Sequence, residues 1–402
     1  FVADVSVNKL VNYCLAYGIS SGERLHTAVY KALTSLLSKG EICAFDGRTC
    51  FALLIKSTDR NSTIIRVSEM LDKIVRIIPH GGISLRAGIF FPEVSEEQGS
   101  PLTARVTDPL ICYNNAHAAL VSLPDENANS VKVYDLSIAE KRLWIRHVED
   151  GLQRALKKEE FLVYIQPKYN PKTNELAGAE ALIRWENATD GFIAPYRFIP
   201  ILEQNRTITK VDDYMLDHVA RYQAEWLAEG KEVVPVSVNL SRTHFSDADL
   251  ADHIASIVDK YNLPHKYIEI ELTESAFFDN AEQLLQLVKD IKAKGFEISM
   301  DDFGSGYSSL NSLINLPLDV LKLDAGFFRD LQDEEKARTV VLAAIRLAKK
   351  LNMRIVAEGV EEKAQVDYLA EQGCDMIQGY YYEKPMPAAE YAELMGKPAR
   401  VS

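Results

Sequence analysis

Residues 296–310 read FEISMDDFGSGYSSL: an apolar, strand-like run that ends on two adjacent aspartates and passes into a stretch rich in glycine and serine. The pattern recurs in LAGAEALIRW (176–185), VPVSVNLS (234–241), YIEIELTES (267–275), DVLKLD (319–324), MRIVAEGVE (353–361) and DMIQGYYY (375–382). In each, a short apolar run carries a polar residue near its end, and helical or loop sequence separates one run from the next. A parallel α/β barrel delivers the C-terminal end of every strand to one rim, so residues remote in sequence converge there. Glu180, Asn239, Glu271, Asp301, Asp302 and Glu358 are then expected to ring one mouth, with Lys322 among them. Such a set of oxygens suits hard divalent cations. The mouth reads as an active site.

Working outward, strands are predicted near 161–166, 176–184, 233–239, 267–273, 296–301, 319–323, 353–357 and 376–381. Helices such as AEQLLQLVKDIKAKG (281–295) and EKARTVVLAAIRLAKKLN (335–352) lie between most of them. Eight strands in about 240 residues is the size of one (β/α)₈ barrel. Upstream, Ser137 and Glu140 fit a capping box, and Ile145, Val148, Leu152 and Leu156 follow at helical spacing. Residues 138–158 thus read as one amphipathic helix, either a stiff joint between two units or a cap on the barrel.

The first 135 or so residues alternate in kind. FVADVSV (1–7) is strand-like and GERLHTAVYKALTSLLSKG (22–40) helical, while EICAF and CFALLIK flank a tight DGRT turn, a hairpin signal. A helix at 62–78, a strand at 83–91, a loop from Pro101 to Pro109, a helix around Asn114–Val121 and a strand at 131–135 complete a small α+β or α/β unit.

At 402 residues, two domains are the better prior. Apolar residues at 47% and charged residues at 26% support a large core. The net charge of −13 repels nucleic-acid backbones and anionic membranes, so no polymeric nucleic acid is expected as a partner. A small phosphate ligand held by metals remains compatible with it. The five cysteines (Cys14, Cys43, Cys50, Cys112, Cys374) show neither C-x-x-C spacing nor a matching histidine pattern. They read as thiols in a reducing cytoplasm rather than as a disulfide framework or a zinc site. No run approaches a membrane span and no signal peptide opens the chain. Phe1 falls inside a strand-like run, so the chain is expected to be a fragment, with any sensor or membrane segment upstream.

Over about residues 158–395, QPK, EALIRW, SVNLS, ELTES, DDFGSGYSSL, LKLD, AEGVE and QGYYY occur in order, and on these the chain resembles the EAL-domain phosphodiesterases. The resemblance implies metal-dependent hydrolysis of cyclic di-GMP to the linear dinucleotide pGpG. It implies Glu180, Asn239, Glu271 and Asp301 as ligands of a first divalent ion, and Asp302, with Asp301 shared, at a second. Glu358 and Glu361 match carboxylates that hold metal-bound waters and brace the site. Lys322 matches the lysine that contacts the attacking water. Gln166, Arg184 and Gln378 match substrate contacts. Oxygen-only ligands point to Mg²⁺ or Mn²⁺, and two ions about 4 Å apart suit phosphodiester hydrolysis. Glu274 matches a residue that positions the loop opened by Asp302, in which Gly304 and Gly306 allow mobility; the plainer reading is an acid at a helix N-terminus. Barrels of this family commonly pair, so a homodimer is expected by analogy. A receptor that binds cyclic di-GMP without turnover is the alternative function.

The first unit resembles a GGDEF domain on Tyr17-Gly18, Gly22-Glu23 and, at the hairpin, Gly47-Arg48-Thr49-Cys50-Phe51. Thr49 and Cys50 stand where that family has metal-binding acids, and Arg48 where it has a glycine. Asp4 matches one upstream aspartate, while Ser6 or Asn8 stands near the other, and Ser38-Lys39-Gly40-Glu41 replaces the product-inhibition site. The resemblance therefore implies a degenerate, non-catalytic unit for regulation, dimerisation or residual nucleotide binding. The expected domains are 1–136 (GGDEF-like, truncated at its N-terminus), 137–157 (linker helix) and 158–402 (EAL barrel).

Overall fold

In the structure, a computed structural model, residues 1–47, 49–56, 59–77, 83–92, 108–124, 128–273, 281–304, 313, 315–328, 335–397 and 399 are described. They divide into two compact units, Phe1–Arg146 and His147–Ser402. Five cysteines are free thiols. Among the described residues, no helix is long and apolar enough to cross a membrane.

The first unit runs β1 (Val2–Val7), α1 (Leu10–Tyr17), α2 (Ile19–Leu36), β2 (Ile42–Phe45), β3 (Cys50–Leu54), α3 (Arg60–Ile77), β4 (Leu85–Phe90), α4 (Pro109–Val121) and β5 (Ser130–Val133). The sheet order is β2-β3-β1-β4-β5, with only the β4–β5 pair parallel. Helices α2 and α3 bury Val29, Leu33, Leu71 and Ile74 against Val5, Leu53, Leu85 and Ile89 of the sheet. Helix α1 is not foreseen in the sequence. It buries none of its residues and has no side-chain cap, so neither periodicity nor a start signal marks it.

Helix α5 (Leu136–Lys157) spans the boundary between the units. Its start corrects the expected capping box. Asp135 Oδ1 accepts from Ile138 N at 3.1 Å and from Ser137 Oγ at 2.5 Å, so the aspartate caps the helix and the serine side chain points to it. A carboxylate at a helix N-terminus gains from the macrodipole as well as from the hydrogen bond.

The second unit contains β6 (Phe161–Tyr169), β7 (Leu176–Asn187), β8 (Gly191–Ile193), α6 (Ile199–Gln204), α7 (Thr209–Ala228), β9 (Val236–Asn239), α8 (Leu250–Asp259), β10 (Ile268–Thr273) and α9 (Ala281–Ala293). It continues with β11 (Glu297–Phe303), β12 (Val320–Leu323), α10 (Glu335–Lys350), β13 (Arg354–Glu358), α11 (Lys363–Gln372), β14 (Met376–Gln378), β15 (Met386–Pro387) and α12 (Ala388–Tyr391). Strands β6, β7 and β9 to β14 close a barrel, because β6 pairs with both β7 and β14. Strands enclosed by helices are buried on both faces and read as near-continuous apolar runs, and all four residues of β12 are buried.

One strand breaks the expected all-parallel scheme. Strand β6 is antiparallel to both of its neighbours. Only residues 170–175 join it to β7, and a parallel return needs a dozen or more. Asn170 organises that turn, its Oδ1 accepting from Lys172 N and Thr173 N. Gln166 therefore sits mid-strand opposite Glu180 rather than at a strand end.

Trp185, near the C-terminal end of β7, is fully buried, 5.2 Å from the Phe161 ring and 5.4 Å from that of Phe198. Its indole N–H donates to Glu160 at 3.2 Å. Trp185→Ala is expected to cost about 3–5 kcal/mol. Urea denaturation followed by circular dichroism measures this, and an unchanged midpoint would contradict the packing.

Candidate active site

The barrel register decides which side chains meet. Glu180 on β7 pairs with Ser237 on β9, Asn239 with Glu271 on β10, and Thr273 with Asp301 on β11. Lys322 on β12 lies beside Val356 of β13, and Glu358 at the end of β13 beside Gln378 at the end of β14. Side chains on adjacent strands that alternate inward thus converge near one rim.

At their centre is Lys322, fully buried. Its ammonium lies 3.2 Å from Glu180 Oε2, 2.9 Å from Asp301 Oδ1 and 2.6 Å from Glu358 Oε1, and also contacts Glu271 Oε1. An ammonium has three donors, and here four carboxylates surround one. Its hydrogen bonds go to Glu180 and Glu271. Asp301 Oδ1 and Glu358 Oε1 meet Lys322 as ion pairs outside hydrogen-bond geometry, and the second oxygen of Glu271 is buried without a hydrogen-bond partner among the described residues.

The titration follows from this imbalance. Burial pushes Glu358 up to about 7 and Asp301 up to about 6, each against the pull of Lys322 and with the other carboxylates adding to the rise. Burial and the Glu180 charge raise Glu271 well above the usual carboxylate range. Glu180 goes the other way. Burial raises it, but Lys322, Lys168 and the Gln378 amide together outweigh burial and hold it below its ordinary value. Lys322 loses by desolvation and gains more from its four partners, so it stays protonated.

Further residues complete the rim. Asn239 Nδ2 donates to Glu180 Oε1 at 3.4 Å. Gln378 Nε2 donates to Glu180 Oε2 at 2.7 Å and to Gln166 Oε1 at 3.0 Å, and Gln166 Nε2 to the Glu383 carbonyl. Both glutamines are buried and lock Glu180 in place. Gly379 lets this end of β14 lie against the next turn, for a Cβ there would sit 2.1 Å from the Val360 carbonyl oxygen. Asp302 adopts φ 57 at a break in register between β11 and β12. Such a conformation is costly for a residue with a Cβ and is typical of functional sites. Asp301, Asp302 and Glu358 each offer an oxygen within 4.8 Å of the others.

Arg184 is half-buried and spans the Tyr164 ring at 5.4 Å. It lines a cavity of about 470 Å³ beside the cluster, together with Ile183, Asn239, Ser241, Arg242 and Thr273. Glu361 is exposed and is not among the carboxylates that meet Lys322; its backbone N–H donates to Gln365. Glu274 and Gly306 lie outside the described residues. His244 is buried, 3.2 Å from Asp212, which also accepts from Ser241 N and so anchors the segment after Asn239. Tyr382 packs on Tyr169 and donates to Asn174, whereas Tyr380 is exposed.

Lys168, quoted above within QPK, was given no role from the sequence. It is buried one layer below, with Nζ 2.9 Å from Ser237 Oγ and 3.6 Å from Glu269 Oε1, and its charge helps hold Glu180 ionised. The available signal was its place two residues beyond Gln166 on the same strand face.

An excess of buried carboxylate over ammonium, with an orphaned oxygen of the hard type, fits divalent cations. Of the expected ligands, Asp301, Asp302 and Glu358 form one such group, and Glu180, Asn239 and Glu271 stand beside it.

Comparison with known proteins agrees with this geometry. Residues 149–385 match the model of the EAL domain, and the chain belongs to that family. It is 34% identical over 279 residues to the bifunctional diguanylate cyclase/cyclic di-GMP phosphodiesterase MucR of Pseudomonas aeruginosa, covering 69% of this chain and 40% of that protein. It is 28% identical over 380 residues to the cyclic di-GMP phosphodiesterase PdeR of Escherichia coli, covering 94% and 56% respectively. The chain spans about half the length of the curated relatives it matches. The solved structure of the PaMucR phosphodiesterase in complex with c-di-GMP superimposes with a TM-score of 0.58 at 35% identity, covering 61% of this chain and 99% of that one.

The raised carboxyls give a pH signature. Without metal, the folded rim keeps protons on Asp301 and Glu358 up to about 6 and about 7, which the unfolded chain releases near its ordinary carboxylate pKa. The folded state then binds more protons in that window, so the stability of chelator-treated protein should fall as pH rises through it. Thermal unfolding from pH 5 to 8 measures the slope. Glu358→Gln should make it shallower, and an unaltered slope in that variant would refute the assignment.

Proposed function

We propose that the barrel hydrolyses cyclic di-GMP to linear pGpG with two divalent ions, Mg²⁺ or Mn²⁺. The observation that carries the reading is the Lys322 cluster: one buried ammonium among four carboxylates at the mouth of a barrel of the EAL family. The named activities of the relatives and the c-di-GMP complex of the structural neighbour support the substrate. Bound divalent cations supply a nucleophile near neutral pH and neutralise charge on the entering and leaving oxygens of a phosphodiester.

The chain's own residues do the rest. Glu180, Asn239, Glu271 and Asp301 would hold the first ion and Asp302, with Asp301 shared, the second, while Glu358 and Glu361 would brace the site. Lys322 keeps its proton and donates hydrogen bonds that orient the attacking water and offset charge on the phosphoryl oxygens. Arg184, at the cavity edge, suits a phosphate oxygen pair, which a guanidinium contacts bidentately. Gln166 and Gln378 form the floor beneath the substrate and fix Glu180. Water attack on one phosphorus with departure of the 3′ oxygen opens the ring.

For the first unit we infer a non-catalytic GGDEF-like domain, regulatory or dimerising. Its support is the hairpin of β2 and β3, where Thr49 and Cys50 occupy positions that synthesis would need as acids. A cytoplasmic setting and a homodimer through the barrel belong to the same reading, the former resting on the free thiols.

Incubation with cyclic di-GMP and Mg²⁺, followed by chromatography, should yield the linear product. EDTA should stop turnover and Mn²⁺ restore it. Glu180→Ala or Asp301→Ala should lower the rate by at least about a thousandfold with the fold intact; a near-normal rate in either sinks the ligand assignment. Binding without product would make the chain a receptor instead. GTP should give no cyclic di-GMP, even with Thr49→Asp and Cys50→Glu combined, and any such product would refute the non-catalytic reading of the first unit.

A further inference from the structure

We propose that the first unit carries a metal site of a second chemical kind, in which Asp4, Cys50 and His117 hold a zinc-like transition-metal cation. This is independent of the reaction assigned to the barrel.

The sheet builds the site from three distant segments. Register pairs Ser6 of β1 with Cys50 of β3, and cross-strand partners share a face, so Cys50 points to the side occupied by Asp4 and Ser6. On the other flank, Asp4 pairs with Gly88 of β4. A Cβ at Gly88 would lie 2.0 Å from the Ala116 carbonyl oxygen and 2.2 Å from Leu120 N, both of α4. The glycine therefore lets the helix backbone rest directly on the sheet. His117 is thereby lowered onto Asp4, its Nδ1 2.7 Å from Oδ2.

One donor atom of the group is left over. Asp4 is 0% exposed, and its Oδ1 accepts no hydrogen bond of normal geometry, although the Cys50 thiol lies near enough to perturb the carboxyl. One ligand atom from each of the three residues lies within 4.8 Å of the others. In a tetrahedral zinc site with bonds of about 2.0–2.3 Å the donors stand about 3.3–3.6 Å apart, so closing by roughly 1 Å suffices. The Cys50 side chain is buried while His117 is 44% exposed. A cavity of about 430 Å³, lined by Asn8, Thr49, Cys50, Arg86 and His117 among others, provides an entry path and room for a water as fourth ligand.

Donor chemistry separates this site from the barrel rim. Thiolate and imidazole select zinc or cobalt over magnesium, whereas the rim offers only oxygens. Cys50, which the GGDEF resemblance implies as the loss of a metal-binding acid, instead changes the class of metal. The competing description is a plain Asp4–His117 ion pair beside a buried thiol, and it predicts no metal at all.

Titration of the chelator-treated full chain with Co²⁺ decides between them. A bound thiolate gives a charge-transfer band in the near ultraviolet, which an all-oxygen site lacks. The band should appear, be displaced by Zn²⁺, and persist in the Glu180→Ala, Asp301→Ala double variant. It should vanish in Cys50→Ser, and His117→Ala should weaken Co²⁺ binding at least about tenfold. His117 is partly exposed, so that variant keeps the test valid if Cys50→Ser fails to fold. No band in the unaltered chain, a band surviving Cys50→Ser, or unchanged affinity in His117→Ala would each overturn the proposal.

Discussion

A single buried ammonium holds the mouth of the barrel together. Removing Lys322 and four carboxylates from water is expensive, and their mutual attraction repays the cost only where geometry is good. Three donors cannot serve four carboxylates, so the cluster carries surplus negative charge and leaves the second oxygen of Glu271 without a partner among the described residues. Burial first, and then that surplus, push Asp301, Glu271 and Glu358 toward their protonated forms and make the rim receptive to cations.

The surroundings of the cluster give it precision. Its members sit on strands rather than on loops, and strands hold side chains to smaller displacements. Below it lies a second buried lysine, Lys168, engaged with Ser237 and Glu269. Gln166 and Gln378 clamp Glu180 from the side on which β6 runs against its neighbours. The carboxylate most firmly held is thus the one that stays ionised, and the softer protonation belongs to those facing the mouth.

The barrel was legible because its signal is repetitive: apolar runs of similar length ending on polar residues, with helices between. Each of Glu180, Asn239, Glu271, Asp301, Lys322 and Glu358 reaches the rim where the pattern places it. Strand direction was less legible. The short link 170–175 demanded a hairpin, yet the expectation of uniform parallel strands passed over it. Lys168 was hidden because a lysine within a strand ordinarily marks a solvated edge, and only closure of the sheet buries it. The grouping of Asp4, Cys50 and His117 had no local spacing at all, since it arises from strand register and from the approach of α4 that Gly88 permits. Asp302's backbone angle is likewise a property of the register break, invisible in composition.

The reversed strand β6 also governs how the chain reaches its final form. Its partners β14 and β15 are encoded at the far end of the barrel sequence, and the Gln378–Gln166 contact bridges 212 positions. Ring closure must therefore await synthesis of the last strands of the barrel, and until then two sheet edges stand open. Contacts of such long range are slow to form because the intervening loop entropy is lost before they reward it. The clamp on Glu180 is consequently among the last features to assemble, so a nascent or C-terminally shortened chain would present an incomplete cation cage, a built-in delay on activity.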